Sequence, residues 1–316
     1  MKIPHTAIIV MTLASIPSVV SAQQRYDHGN PSINEQLMLE LVNRARANPV
    51  AEARMFGIGL NDKLAPGTIS PSPKAPLAFN PNLLQSSRSH SQWMVDTGIF
   101  DHTGAGGSSP GQRMTAAGYA RIRANGENIS QSGVSGTPDP VAITVEMHKG
   151  LFISEGHRVN ICSEDYNEIG IGIIQGTFRG FNSLLATQNF ATSSASQAPF
   201  LLGVVYQDSN SNGIYDAGEG LPGVTITPEG GAWDAVSSES GGYAVPVTGT
   251  GTLNVAFSGR GLTTDLTRTV QLTGANVKLD YVVGSSTTLT STGLSSNGLP
   301  PEIEVNQPRR VSLKSR

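Results

Sequence analysis

A single cysteine, Cys162, stands in 316 residues, so no disulfide can close within the chain. Stability must come from a packed core, which a chain of this length can bury. Charge is also scarce: 14% of residues are charged and the net charge at pH 7 is −3. That balance excludes a global basic footprint for nucleic acid. Aromatic residues make up only 6% of the chain, against 36 Gly and 19 Pro, and the low charge with many Gly, Ser and Thr points to loops, β-structure and an extracellular setting. Long apolar runs are missing beyond the N-terminus. No second stretch of about 18 apolar residues follows, so no transmembrane helix is expected.

The one apolar run, Ala7 to Val20, follows Lys2 and His5 and ends in Val20-Ser21-Ala22. Small residues at the −3 and −1 positions mark residues 1–22 as a secretory signal peptide, cleaved after Ala22. The expected location is therefore secreted, either extracellular or in the cell envelope.

Past a polar, flexible stretch at 23–31, Ser32-Ile33-Asn34-Glu35 has the form of a capping box. Leu37, Met38, Leu41, Val42 and Ala45 then recur at helical spacing. From Gly57 to Pro76 the chain is Gly-, Pro- and Ser-rich and reads as an irregular loop. Asn80-Pro81 opens a second helix that Gly98 closes. Its face carries Leu83, Leu84, His90, Met94 and Val95, which makes His90 a core-edge histidine. A short helix is expected from Gln112 to Tyr119, and another from Pro140 to Phe152 with His148 on its surface. Ile169 to Ile174 and Ser183 to Phe190 alternate as strands. Helices flanking a few strands, without strict β-α alternation, indicate an α+β fold.

Chemistry concentrates between His90 and His157, which hold four of the six histidines. Imidazole and carboxylate can share a proton near neutral pH or hold a divalent metal. His102 follows the second helix in Phe100-Asp101-His102, Glu127 lies in Gly126-Glu127-Asn128-Ile129, and His157 in Gly156-His157-Arg158. Gly107-Ser108-Ser109-Pro110-Gly111 fits the pattern of a nucleophile elbow, but no buried strand leads into it.

These segments, together with Asn43-Arg44-Ala45-Arg46, Ile169-Gly170-Ile171-Gly172 and Thr187-Gln188-Asn189-Phe190, stand in an order that resembles the bacterial branch of the CAP superfamily. That superfamily groups cysteine-rich secretory proteins, antigen 5 and plant pathogenesis-related proteins. The resemblance covers residues 34–191. It implies a three-layer α-β-α sandwich with a central antiparallel sheet. It also implies an open cleft lined by two His and two Glu, sometimes loaded with zinc. His102 matches the first family His and Glu127 the first Glu. The second His position is Leu185 here, and His157 is the substitute. Two His and one Glu with an open position would suit a hydrolytic zinc.

A small-residue linker, 192–199, leads to a second unit at 200–284. Asp208, Asn210, Asn212, the Ile214 carbonyl, Asp216 and Glu219 occupy positions 1, 3, 5, 7, 9 and 12 of a calcium loop, with Gly213 at the sharp turn. The flanks alternate as strands, where an EF-hand would have helices. With Ser240-Gly241-Gly242-Tyr243, this stretch resembles the calcium-binding B-type repeats of bacterial surface adhesins. That resemblance implies a smaller all-β immunoglobulin-like sandwich with structural calcium. Residues 285–316 read as a disordered tail.

The expected function is an exported protein whose cleft binds an extracellular or envelope ligand, a lipid or a peptide, presented by a calcium-stabilised β-sandwich. A metal-dependent peptidase-like hydrolase and an adhesive surface module are the alternatives.

Overall fold

The computed structural model describes residues 23–195, 199–262 and 266–284, with the backbone of Leu289 and Thr290. The expected signal peptide, and the tail apart from that pair, lie outside the described residues. Among the described residues no helix is long and apolar enough to cross a membrane.

The first unit opens with a two-residue strand β1 (Gln24–Arg25) and continues through α1 (Ile33–Ala47), α2 (Pro49–Met55) and β2 (Ala78–Phe79). Then come α3 (Pro81–Thr97), α4 (Pro110–Ala116), β3 (Ile122–Val134), α5 (Pro140–Ile153), α6 (Glu155–Cys162), β4 (Glu168–Phe178) and β5 (Phe181–Ser193). The capping box at Ser32 is formed in both directions. Glu35 has a second task that its position alone did not show. Its carboxylate also accepts from the Arg88 guanidinium at 2.5 and 2.9 Å, tying α1 to α3. Asn80 caps α3, and Gly98 ends it in the left-handed conformation, φ 69°.

Strands β2, β4, β5 and β3 form one sheet in that order. β2 runs parallel to β4, and the other pairs are antiparallel. α3 covers one face, while α1, α5 and α6 lie toward the other, giving an α/β layered sandwich. β5 is buried continuously from Ser183 to Ser193 because both faces are covered. The Ile-Gly-Ile-Gly alternation of β4 has a packing cause. Its isoleucines Ile169 and Ile171 enter the main core. Its glycines face α3 so closely that a Cβ on Gly170 would sit 2.0 Å from the Leu83 carbonyl carbon, and one on Gly172 2.3 Å from the Arg88 nitrogen. Ser87 and Ser91 then donate from α3 to the Gly170 and Gly172 carbonyls at 2.9 and 2.8 Å.

The second unit contains β6 (Phe200–Tyr206), β7 (Val224–Pro228), β8 (Trp233–Val236), β9 (Gly242–Pro246), β10 (Gly251–Gly259), β11 (Leu266–Leu272), β12 (Val277–Val282) and β13 (Leu289–Thr290). Two sheets, β1-β8-β7-β10-β11 and β13-β12-β6-β9, share one apolar core that includes Val205, Ile226, Tyr243, Phe257 and Leu279. β8 and β11 carry no pattern singled out in the sequence.

Every residue of β6 is buried. Leu201 and Val205 face the shared core. The other face carries Phe200 and Leu202, which pack with Ala78 of the first unit, and Val204 and Tyr206, which pack with Tyr215. The sheet therefore docks on the first unit through its outer face. Polar groups complete the seam. Lys278 Nζ lies 2.9 Å from Glu40 Oε2 and also pairs with Asp280. Asn276 Nδ2 donates to the Pro76 and Asn167 carbonyls at 2.9 and 2.7 Å.

The stretch at 23–31 was expected to be flexible, and the part from Gln23 onward is not. β1 pairs in parallel with β8, Tyr26 packs on Phe200 and Trp233, and buried His28 donates to the Gly242 carbonyl at 3.1 Å. The polar composition concealed an aromatic anchor at Tyr26.

Candidate functional site

The site assembles where the loop after α3, helix α4, strand β3 and helix α6 meet. Glu127 sits on β3 opposite Asn189 of β5 and is buried by that sheet position. His102 Nδ1 lies 2.9 Å from Glu127 Oε1. The carboxylate accepts in this pair, so Nδ1 is its donor and Nε2 faces away from it. The His102 side chain is half-exposed at 51%, whereas that of Glu127 is 1% exposed.

Arg113 of α4 completes the pair. Its Nη2 lies 2.6 Å from Glu127 Oε2, and its Nη1 donates to the His102 and Ser108 carbonyls at 3.0 and 2.7 Å. One guanidinium thus neutralises Glu127 and pins the loop that carries His102. Nothing in the local pattern marked Arg113. A lone Arg in a short helix carries no motif, and only the fold brings it to β3.

His90 is buried, as its helical face indicated, and it has a further neighbour. Its Nε2 donates to the Asp101 carbonyl at 3.0 Å and lies 3.9 Å from Glu127 Oε1. Its ring stacks on Trp93 at 5.5 Å. Burial pushes its pKa down, partly offset by the Glu127 charge.

His157 comes near the pair without joining it. It lies in the first turn of α6, and its carbonyl accepts from Asn128 Nδ2 at 3.2 Å. An amide network holds that helix on β3: Asn128 donates to Gln188 at 3.0 Å, and Asn160 donates to Asn128 at 2.9 Å. His157 Nδ1 is buried without a hydrogen-bond partner. Burial lowers the His157 pKa, and the nearby charge of His102 lowers it further.

As donors for zinc, the trio offers less than its composition suggests. Both Glu127 oxygens are engaged, one by His102 and one by Arg113. The nitrogens left are His102 Nε2 and those of the His157 ring, whose Nδ1 is buried, so the two imidazoles offer fewer than the three protein ligands a catalytic zinc uses. Among the described residues no group of three or more His, Cys, Asp or Glu has the arrangement of a metal centre. The donor set therefore does not fit a tightly held zinc.

His148, Ser109 and Cys162 take structural places. His148 is fully buried, not on the helix surface as its position in α5 suggested. Its Nε2 lies 2.9 Å from Glu52 Oε1, and Arg44 binds the same carboxylate at 2.7 and 2.9 Å. α5 packs against α1, so its polar face as well as its apolar one is covered. Burial raises the Glu52 pKa, but the hydrogen bonds from His148 and Arg44 outweigh it and bring it down to about 2. Ser109 caps α4, accepting from the Gln112 nitrogen, so the Gly107–Gly111 segment is a turn and cap. Cys162 is a buried thiol, pushed up to about 11 by burial and so inert as a nucleophile near neutral pH.

The loop from Asp208 to Glu219 is folded around its own side chains. Asp208 accepts from the backbone nitrogens of Asn212 and Gly213 at 3.1 and 2.9 Å. Asp216 Oδ2 accepts from the side chains of Asn210 and Asn212 at 2.7 and 2.6 Å. Glu219 accepts from the Ser209 and Asp216 nitrogens at 2.9 and 3.0 Å. Gly213 holds a positive φ of 79°, and Ser211 one of 61°. Asp208, Asp216 and Glu219 form no ion pair among the described residues, so three carboxylates are held together by neutral donors alone.

A family model described as CAP, the cysteine-rich secretory protein family, matches residues 39–190. The protein YkwD of Bacillus subtilis (strain 168), described as uncharacterized, is 30% identical over 174 residues, 55% of this chain and 51% of that one. The chain thus spans about half the length of this curated relative. Among solved structures, an extracellular protein containing a SCP domain from Bacillus anthracis str. Ames is similar at 23% identity and a TM-score of 0.28, covering 35% of this chain and 32% of that one. An outer surface protein from Borrelia burgdorferi is similar at 15% identity and a TM-score of 0.29, covering 36% of this chain and 76% of that one. Superpositions this partial establish no common fold, so the assignment rests on the family match and on the motifs placed above. Residues 39–190 are thus a CAP domain.

Proposed function

We propose that this is an exported protein whose CAP cleft binds an extracellular or envelope ligand, a peptide or the polar head of a lipid. The observation that carries the reading is the His102–Glu127–Arg113 cluster. Arg113 and Glu127 hold His102 half-exposed with its Nε2 turned away from the carboxylate. Fixed hydrogen-bonding groups with free valence at a cleft recognise a polar group on a ligand. Native mass spectrometry of the purified chain tests this. A co-purifying ligand that is lost in His102→Ala, with no turnover of peptide or ester substrates, supports binding. A ligand retained in that variant overturns it.

A weakly held zinc is the second reading, favoured by the unpartnered ring nitrogens of His102 and His157. Zinc held by the two rings would supply a polarising cation for hydrolysis. Calorimetric titration with zinc, alongside peptide turnover, separates it from simple binding.

The second unit is, in this proposal, an immunoglobulin-like sandwich stabilised by calcium at Asp208, Asn210, Asn212, Ile214, Asp216 and Glu219. The support is the uncompensated charge of three carboxylates on one tight loop, which a hard divalent cation with oxygen ligands would neutralise.

A further inference from the structure

The seam between the two units forms a cleft of about 300 Å³ that is lined by Arg46 and by no residue of the His102 site. Its walls come from both units. Arg46, Lys74, Glu164 and Tyr166 belong to the first and the Gly274–Asn276 turn to the second, while Pro199 ends the linker between them.

Arg46 is the unusual member. It is 1% exposed, and no carboxylate among the described residues lies within ion-pair distance of it. Its Nε donates to the Ala75 carbonyl at 2.8 Å, and its Nη1 to the Ile161 and Ser163 carbonyls at 2.8 and 2.7 Å. Those bonds join α1 to the end of α6, and they account for the guanidinium's presence there. They do not neutralise it. Nη2 makes no hydrogen bond among the described residues, and it is not sealed off as an orphaned buried atom either. It is the one nitrogen of this side chain left to the cleft. Burial of this uncompensated charge brings the Arg46 pKa down to about 10, with the Cys162 and Glu164 charges acting against that shift.

Lys74 is the second cation in the wall. Its side chain is 1% exposed, and its ammonium pairs with Glu164 at 2.7 Å. The ammonium also donates to the Ser70 carbonyl at 3.2 Å. The Glu164 side chain is 68% exposed, so a competing anion has to displace only this exposed partner from Lys74. The cleft wall thus holds two buried cations against one exposed carboxylate. A buried charge without a counterion is unfavourable, and an anion of matching size relieves it.

We infer that this interdomain cleft is an anion-binding site, taking one carboxylate or phosphate group of a small ligand between Arg46 Nη2 and Lys74 Nζ. The site exists only when the two units are docked, because residues of both line it and Asn276 is bonded across the seam to Pro76 and Asn167. A ligand there bridges both units. It is independent of the His102 cleft and of the calcium loop.

The test is a chemical-shift titration of the isotope-labelled chain with sodium acetate, and separately with inorganic phosphate. Chloride is exchanged so that ionic strength stays constant. Saturable shifts at the Arg46 and Lys74 side-chain signals are expected. Saturation with acetate identifies a carboxylate ligand, and saturation with phosphate alone a phosphorylated one. Lys74→Gln should weaken the affinity by about fivefold or more, since it removes one of the two charges. Glu164→Gln, at an exposed position, should strengthen it by releasing Lys74. Arg46→Lys keeps a cation at the α1–α6 junction should Arg46→Ala fail to fold, and it should weaken binding while leaving the chain folded. Shifts that grow linearly with acetate, phosphate and chloride alike, in both the natural chain and Glu164→Gln, would overturn the inference.

Discussion

Arg113 Nη2 and Glu127 Oε2 stand 2.6 Å apart, on a carboxylate whose other oxygen holds His102 at 2.9 Å. Removing the guanidinium leaves the buried carboxylate with an imidazole as its only strong partner. Arg113→Met should therefore destabilise the chain by about 3 kcal/mol in urea unfolding. It should also free Glu127 Oε2, so the same variant is expected to bind zinc more tightly than the natural chain in calorimetric titration. Unchanged stability would mean that the pair is not a structural clamp.

Calcium should act on stability through the Asp208 loop. At a calcium concentration a hundred times the dissociation constant, stabilisation of about 2.7 kcal/mol is expected from mass action alone. Differential scanning calorimetry should show a calcium-dependent rise in melting temperature that Asp208→Ala plus Glu219→Ala abolishes. An equal rise in both proteins would place the effect elsewhere.

Below neutral pH the buried histidines should weaken the fold. Burial lowers the pKa of His148, against the pull of Glu52, and burial likewise lowers that of His28. A histidine depressed in the folded state contributes its full stability above the unfolded value of about 6.5 and loses it as pH falls below that. The loss approaches about 1.4 kcal/mol per pH unit for each such group. Glu52, depressed to about 2, adds a separate loss below about pH 4.5. His148→Gln keeps a donor for Glu52, so its stability should vary less with pH between about 6.5 and 4.5. Unfolding curves across that window provide the comparison.

The seam depends on Lys278, whose ammonium serves both Glu40 and Asp280. Glu40, pushed up by burial, leans on that ammonium for its charge. Lys278→Met should cost about 3–5 kcal/mol because it strands two carboxylates at the seam. Adding Glu40→Leu should recover part of that cost. A double variant no more stable than the single one would show that the charges are not coupled.

Gly170 carries a stricter constraint. An added methyl would meet the Leu83 backbone at 2.0 Å, and backbone cannot yield as a side chain does. Gly170→Ala should cost about 3 kcal/mol by forcing α3 off the sheet. Gly180, at an open turn with no atom within 4 Å of its Cβ position, has a positive φ of 85°. Gly180→Ala should cost less, from backbone strain alone.

Much of the chain was legible before folding because its signals are local. The Ser32 and Asn80 caps, the Gly98 stop and the Ile-Gly alternation of β4 depend on neighbours within a few residues. The order of short motifs identified the CAP family, and with it His102 and Glu127 as partners 25 residues apart in sequence. Tertiary structure alone decided what surrounds them. Arg113 reached Glu127, and Arg44 and Glu52 enclosed His148, through packing of elements that no local pattern relates. His157 lies near His102 with a free nitrogen because α6 is held on β3 by amides far apart in sequence. The docking of the second unit was equally hidden. The unbroken burial of β6 needs a second covering surface, and a strand's own residues cannot say which one. Burial and charge pairing are properties of the assembled surfaces, whereas caps, turns and alternation belong to the chain itself.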